Sequence, residues 1–594
     1  MADPPGRNRL RHRMALIGRG RGAARAVPAP AESIGPVGLA PALTIALLAG
    51  PVLAGLAGVI LPGLGFLPAL GGNALTLEPW RRLADWPGLT ASLRLSVVTG
   101  LTATIISLAI TLLFVAGWQG TRSFARVMRL LSPLLSVPHA AAAFGLAFLL
   151  APSGWIARAF SPWATGWDRP PDLAIIGDPW GLTLVAGLVV KEVPFLLLMT
   201  LAALAQADSL RAAQVARSLG YGRVSGWFKV VLPRVYPQIR LPVLAVLAYS
   251  LSVVDMAMIL APSRPPPLAV QIVIWLGQPD LAFRFQAAAA ATLQAGLVAC
   301  AIALWLLGER LIARLGRRWA ESGGRGVWLD PLARPLGLGL ALLSAAAVLA
   351  GLAGLALWSV AGPWQFPDAL PARLSTTAWE RQAQGLWRAV TPTILIGLAA
   401  MALALVLTLG CLEGEHRRRR APGKGALAIL YLPLLVPQIA FLPGLQTFML
   451  LVGLDGGMAV VIAAHVVFVL PYVFLALADP WRAWDTRAGT AAAALGASPG
   501  RILWAVRLPM LLRPVLAAAA LGFAVSVAQY LPTLIIGGGR VATLTTEAVA
   551  LAAGANRRVI GVYALAQVLA PMAAFALALM IPAIVFRNRR GLAA

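Results

Sequence analysis

Twelve predominantly apolar stretches punctuate the chain, each long enough to cross the roughly 30 Å hydrocarbon core of a bilayer as a helix. They fall at about residues 38–62, 91–117, 130–151, 179–204, 237–261, 284–308, 334–359, 388–412, 426–452, 458–478, 513–537 and 560–586. Inside lipid the backbone must satisfy its own polar groups, which only helices and closed barrels do. The runs are continuous rather than alternating, which excludes a transmembrane barrel. Composition agrees: 59% of the 594 residues are hydrophobic and 12% charged, against about 25% charged in soluble domains. The expected fold is all-α and polytopic. An Arg-rich arm (1–37) precedes the first run, which is too long for a cleaved signal and is read as a spanning helix.

The formal charge of +27 would suit a nucleic-acid binder, but its placement does not. The basic residues cluster beside apolar runs, at Arg7–Arg25, Arg310–Arg318, Arg417–Arg420 and Arg587–Arg590, and no soluble basic module carries them. With both termini inside, the inner loops hold most of the Arg and Lys, and the outer loops hold few. This bias places the N- and C-termini in the cytoplasm of a bacterial-type inner membrane. Cys300 and Cys411 lie in apolar runs and offer neither a disulfide framework nor zinc spacing.

The chain repeats itself in the same orientation. "PLLSVPHA" (133–140) resembles "PLLVPQIA" (433–440), and "SVVD" (252–255) resembles "SVAQ" (526–529). The clearest repeat is a polar stretch, "RSLGYGRVSGWFKVVLP" (217–233), which returns as "AALGASPGRILWAVRLP" (493–509). The expected organisation is a basic arm (1–37), a six-helix half (38–308), a cytoplasmic linker (309–333), a second half (334–586) and a short tail (587–594).

Aligned at Gly220 and Gly496, the two loops share Ala216 with Ala492, Val230 with Val506, and Leu232–Pro233 with Leu508–Pro509. Small residues ahead of the Gly allow close packing, and the Gly allows a sharp bend. A short amphipathic segment follows, and then a Pro that can open the next helix without losing a hydrogen bond. A surface helix lying on lipid would explain one copy; two copies in register on one side read as docking elements.

These loops resemble the EAA–G–I–LP loop of binding-protein-dependent ABC importer permeases. "VPHAAAAFGLAFLLAPSGW", "GLVVKEVPFLLL" and "YLPTLIIGGGRVATLTTEAVAL" are similar to the tandem permeases of the iron(III)/thiamine-type group, most of all its thiamine-type branch. The resemblance implies the type I importer permease fold, with about twelve spans as two six-helix repeats. It implies that the loops are coupling helices for two copies of a cytoplasmic ABC ATPase, which holds the ATP and Mg, so that this chain binds no cofactor. It also implies an extracytoplasmic solute-binding protein. The family's leading Glu is replaced by Gln214 and Thr490, so any charge contact it makes is absent.

Lys191 and Glu192 fall near the middle of the fourth run. Each costs about 2.5–3.5 kcal/mol to insert without a partner or water. As helical neighbours they point about 100° apart and do not pair with each other, so partners on other helices are expected. They either line a path or gate, or tie helices together. Asp255 and Gln529 are repeat mates placed within the fifth and eleventh helices, where they serve solute passage or, better, a helix–helix hydrogen bond. His139 and His465 are read as core histidines. Glu547, with Arg540 close by, lies on the outward side near the expected binding-protein site.

No phosphate-binding G-x-x-x-x-G-K-[ST] loop occurs; "APGKGA" (421–426) lacks the first Gly and the hydroxyl. No catalytic set is apparent, so the chain reads as a transport subunit rather than an enzyme. A 6+6 ion-coupled secondary transporter would share the twelve helices and the intramembrane charges, but it leaves the repeated loop unexplained.

Overall fold

The computed structural model describes residues 38–418, 423–454, 456–554 and 556–587. The basic arm 1–37 and the basic runs 419–422 and 588–594 lie outside the described residues.

The apolar runs form helices. In the first half these are α1 (Ala40–Gly63), α2 (Leu89–Trp118), α3 (Arg122–Leu131), α4 (His139–Leu150), α5 (Leu182–Gln206), α6 (Ser209–Ser218), α7 (Leu232–Ser252), α8 (Asp255–Leu260), α9 (Leu268–Leu276) and α10 (Phe283–Glu321). In the second they are α11 (Asp330–Ser359), α12 (Thr377–Arg418), α13 (Lys424–Leu435), α14 (Gln438–Leu451), α15 (Met458–Arg482), α16 (Thr486–Ala494), α17 (Leu512–Val527), α18 (Leu531–Gly537), α19 (Leu544–Leu551) and α20 (Arg557–Val585). Among the described residues ten helices are long and apolar enough to span, or up to twelve if each of two sharply bent pairs is one span.

Four runs expected as single spans are broken. In 130–151 and 426–452 the break precedes Pro138 and Pro437. The residue before each is pushed to extended backbone (Val137 ψ 120°, Val436 ψ 125°), and α13 meets α14 at 92°. In 237–261 the break is at Val253–Val254, and in 513–537 at Ala528–Tyr530. Asp255 and Gln529 therefore do not lie within continuous helices: Asp255 opens α8, and Gln529 sits in the break itself. No Pro or Gly stands in these two breaks. Side chains distant in sequence take up the freed carbonyls instead: Gln294 Nε2 donates to Leu251 O (3.1 Å), and Thr545 Oγ1 donates to Val527 O. Each half then adds a short apolar helix, α9 or α19. Its first N–H donates to a hydroxyl on the second span of its own half: Leu268 N to Ser96 Oγ (3.0 Å) and Leu544 N to Thr393 Oγ1 (2.9 Å).

The halves exchange their first helices. α1 packs on α12 and α14, and α11 packs on α2, α4 and α5. Glycines make these crossings tight, as small residues do where lipid offers no hydrophobic drive. A Cβ at Gly58 would lie 2.6 Å from Gly444 O, and one at Gly145 2.8 Å from the Gly351 carbonyl carbon. α10 runs on to Glu321, so the stretch between the long helices shortens from 309–333 to 322–329.

Candidate functional site

The breaks converge on one cavity of about 240 Å³. Its walls are the broken ends near Pro138, Val253, Pro437 and Gln529, closed by faces of α5 and α15. Backbone without helical partners is tolerated at membrane depth where it is buried in protein or lines a polar space.

Lys191, Glu192, Asp255 and Gln529 all line this cavity. Lys191 Nζ donates to Leu134 O and Leu135 O, each at 3.4 Å, carbonyls at the end of the turn before Pro138. Glu192 points to the other side of that break, its Oε1 3.8 Å from His139 Nε2. The neighbours thus take separate partners on other elements. His139 is not a core residue: it lines the cavity, its ring 4.8 Å from that of Tyr249. The break at Pro138 makes it the first residue of α4 and so turns it inward. Tyr249 donates to Asp255 Oδ1 (3.3 Å). On the opposite wall Gln438 Nε2 donates to Gln529 Oε1 (3.4 Å). Asp255 and Gln529 therefore bond to different neighbours rather than to each other. His465 is a buried staple, with Nδ1 2.8 Å from Ser526 Oγ and Nε2 2.9 Å from Thr533 Oγ1, across the second break.

The repeated loops fold alike. α6 or α16 ends at a left-handed glycine, Gly220 (φ 83°) or Gly496 (φ 81°). A short helix follows (Arg223–Gly226 or Pro499–Ile502), then a π-turn (Trp227–Val231 or Leu503–Arg507), then Leu232–Pro233 or Leu508–Pro509 opening a helix. Ala216 is buried and Ala492 half-buried, as are Val230 and Val506, while Gln214 and Thr490 are exposed. Beside the glycines, Leu219 is 61% and Leu495 89% exposed.

Each loop is anchored by residues the sequence did not single out. Gln119, just beyond α2, accepts from Trp227 Nε1 (2.9 Å). Asp330 accepts from Arg223 N (2.7 Å) and Val224 N (3.0 Å), so the first residue of α11 caps the first loop. Gly222 N donates to Arg325 O (2.8 Å), and Lys229 Nζ to Gly324 O (2.7 Å). Burial pulls the Arg223 guanidinium below its ordinary value; Arg217 and Arg334 push the same way, and Asp330 opposes. On the second loop, Arg507 Nη1 donates to Glu413 Oε2 (2.7 Å) and stacks 4.1 Å from the Trp484 ring centroid. Arg417 Nε holds the other Glu413 oxygen at 2.8 Å.

Comparison with known proteins agrees with this architecture. Residues 407–589, which include the second loop, match the family described as binding-protein-dependent transport system inner membrane component. The inner membrane ABC transporter permease protein YnjC of Escherichia coli (strain K12) is 35% identical over 87% of this chain and 93% of its own length. The thiamine transport system permease protein ThiP of Salmonella typhimurium is 28% identical over 70% of this chain and 75% of its own. The spermidine/putrescine transport system permease protein PotC of Haemophilus influenzae is 30% identical over 25% of this chain and 54% of its own. With two six-helix halves, a loop repeated in each, and a relative that matches across most of its length, the chain belongs to the inner-membrane permeases of ABC importers.

Proposed function

We propose that this one chain supplies both halves of the membrane path, and that loops 209–233 and 486–509 seat two copies of a separate ABC ATPase on the cytoplasmic side. Both termini lie on that side, following the Arg and Lys bias. ATP and Mg are bound by the ATPase, and this chain carries no cofactor of its own. A solute-binding protein delivers a small solute to the opposite face. The observation that supports the docking is the matched geometry of the loops: a left-handed glycine in each, with Leu219 and Leu495 exposed beside it. Matched leucines held out beside both glycines suit the docking of one kind of partner on each loop. Drawing the two loops together would lever the broken helices about the cavity and expose Lys191, Glu192, Asp255 and Gln529 to each side in turn. The likeness to ThiP makes thiamine the first solute to test.

The experiment is co-purification of the chain with candidate ABC ATPases of the same organism. Gly220→Asp with Gly496→Asp puts a charged side chain beside the exposed Leu219 and Leu495 and should abolish ATPase association while the membrane fold persists. Retained association in the folded double variant rejects the docking.

A further inference from the structure

We infer that the central cavity is a binding site for a small organic cation, held by the Glu192 and Asp255 carboxylates between aromatic rings. This rests on the reading of the chain as a permease and adds the chemical class of its solute. The argument begins with charge. Two carboxylates and one ammonium line the cavity. The ammonium is already committed, since Lys191 donates to the carbonyls of Leu134 and Leu135. Glu192 is 5% exposed and, among the described residues, accepts no hydrogen bond; its near neighbour is the His139 ring nitrogen at 3.8 Å. Asp255 is 8% exposed and receives the Tyr249 hydroxyl. Set against Lys191, the two carboxylates leave one acid whose facing basic group is the His139 ring. A buried carboxylate that accepts no hydrogen bond is costly, so Glu192 offers a place for a cationic ligand.

The walls decide what kind. Phe195, Tyr249, Phe468, Tyr472 and Tyr530 face the same space. Ring faces attract cations of low charge density, which is how ammonium-type ligands are caged. A bare metal ion would want several oxygen ligands at short range, and the two acids stand on different helices among apolar rings. At about 240 Å³ the space lies just below the about 300–1,000 Å³ of drug-sized pockets, which suits a small solute.

The test is equilibrium dialysis of the purified full chain, without ATPase, against choline and thiamine. The control ligand is the uncharged carbon analogue of choline, in which a tert-butyl group replaces trimethylammonium. At least one cation should bind about ten-fold or more tightly than the uncharged analogue. That preference should shrink about ten-fold in Glu192→Gln or Asp255→Asn and persist in Glu78→Gln, a carboxylate on the exposed surface paired with Arg82. Equal binding of cation and analogue, no binding of either cation, or indifference to both cavity variants overturns the inference; protonated carboxylates would give the first result. ATPase co-purification is scored separately, so a chain that keeps its ATPase but shows no cation preference sinks this inference alone.

Discussion

Removing Glu413 should unseat the second loop while leaving the first in place. Glu413 is 4% exposed and Arg507 3%. The carboxylate takes Arg507 on one oxygen at 2.7 Å and Arg417 on the other at 2.8 Å. Replacing Glu413 by Gln keeps the shape but strands the Arg507 charge between Trp484 and Trp481. Breaking one side of a buried pair costs about 3–5 kcal/mol. The loop escapes that cost by swinging Arg507 into water, so the change appears as local opening rather than global unfolding. At 1.4 kcal/mol per factor of ten, about 3 kcal/mol raises the open fraction on the order of a hundred-fold. Hydrogen exchange of the amides in 499–510 reads this directly, with 223–233 as the internal control. Adding Arg507→Met, which removes the stranded charge and keeps apolar bulk, should restore most of the protection. A change under about three-fold in the single variant, or additive effects of the two substitutions, would show that the pair does not hold the loop.

Asp330→Ala removes the carboxylate that caps the first loop and should cost about 1–2 kcal/mol locally; exchange should quicken in 223–233 and not in 499–510. Gly496→Ala meets no neighbour within 4 Å, whereas a Cβ at Gly220 meets the Arg325 guanidinium at 3.3 Å. Both pay about 1–2 kcal/mol for left-handed backbone, so Gly220→Ala should lower the thermal midpoint at least as far as Gly496→Ala. Gly58→Ile forces a branched side chain into the Gly444 backbone and should separate α1 from α14, measured as lost crosslinking between cysteines placed on those helices.

Much of the plan was legible in the sequence, because hydropathy and internal repetition are local properties of the chain. The spans, the two halves and the paired glycine loops follow from run length, matched motifs and the spacing from Gly220 to Pro233 and from Gly496 to Pro509. Lys191 and Glu192 stood out because charges in apolar runs are expensive. The breaks before Pro138 and Pro437 carried a readable mark. Those at Val253 and Ala528 did not, since Gln294 and Thr545 stabilise them from other helices. His139 looked like a core residue although Pro138 beside it marks the bend, because the apolar run does not show that the bend opens onto a cavity.

The sequence alone thus determined that the chain is a many-span helical protein and which segments recur, since these depend on apolar run length and on local backbone preference. Only the tertiary structure decided that α1 and α11 trade halves, that the linker caps the first loop through Asp330, and that four separate breaks share one cavity. Those outcomes rest on close glycine crossings and on hydrogen bonds such as one between residues 107 positions apart, where no local pattern records the partner.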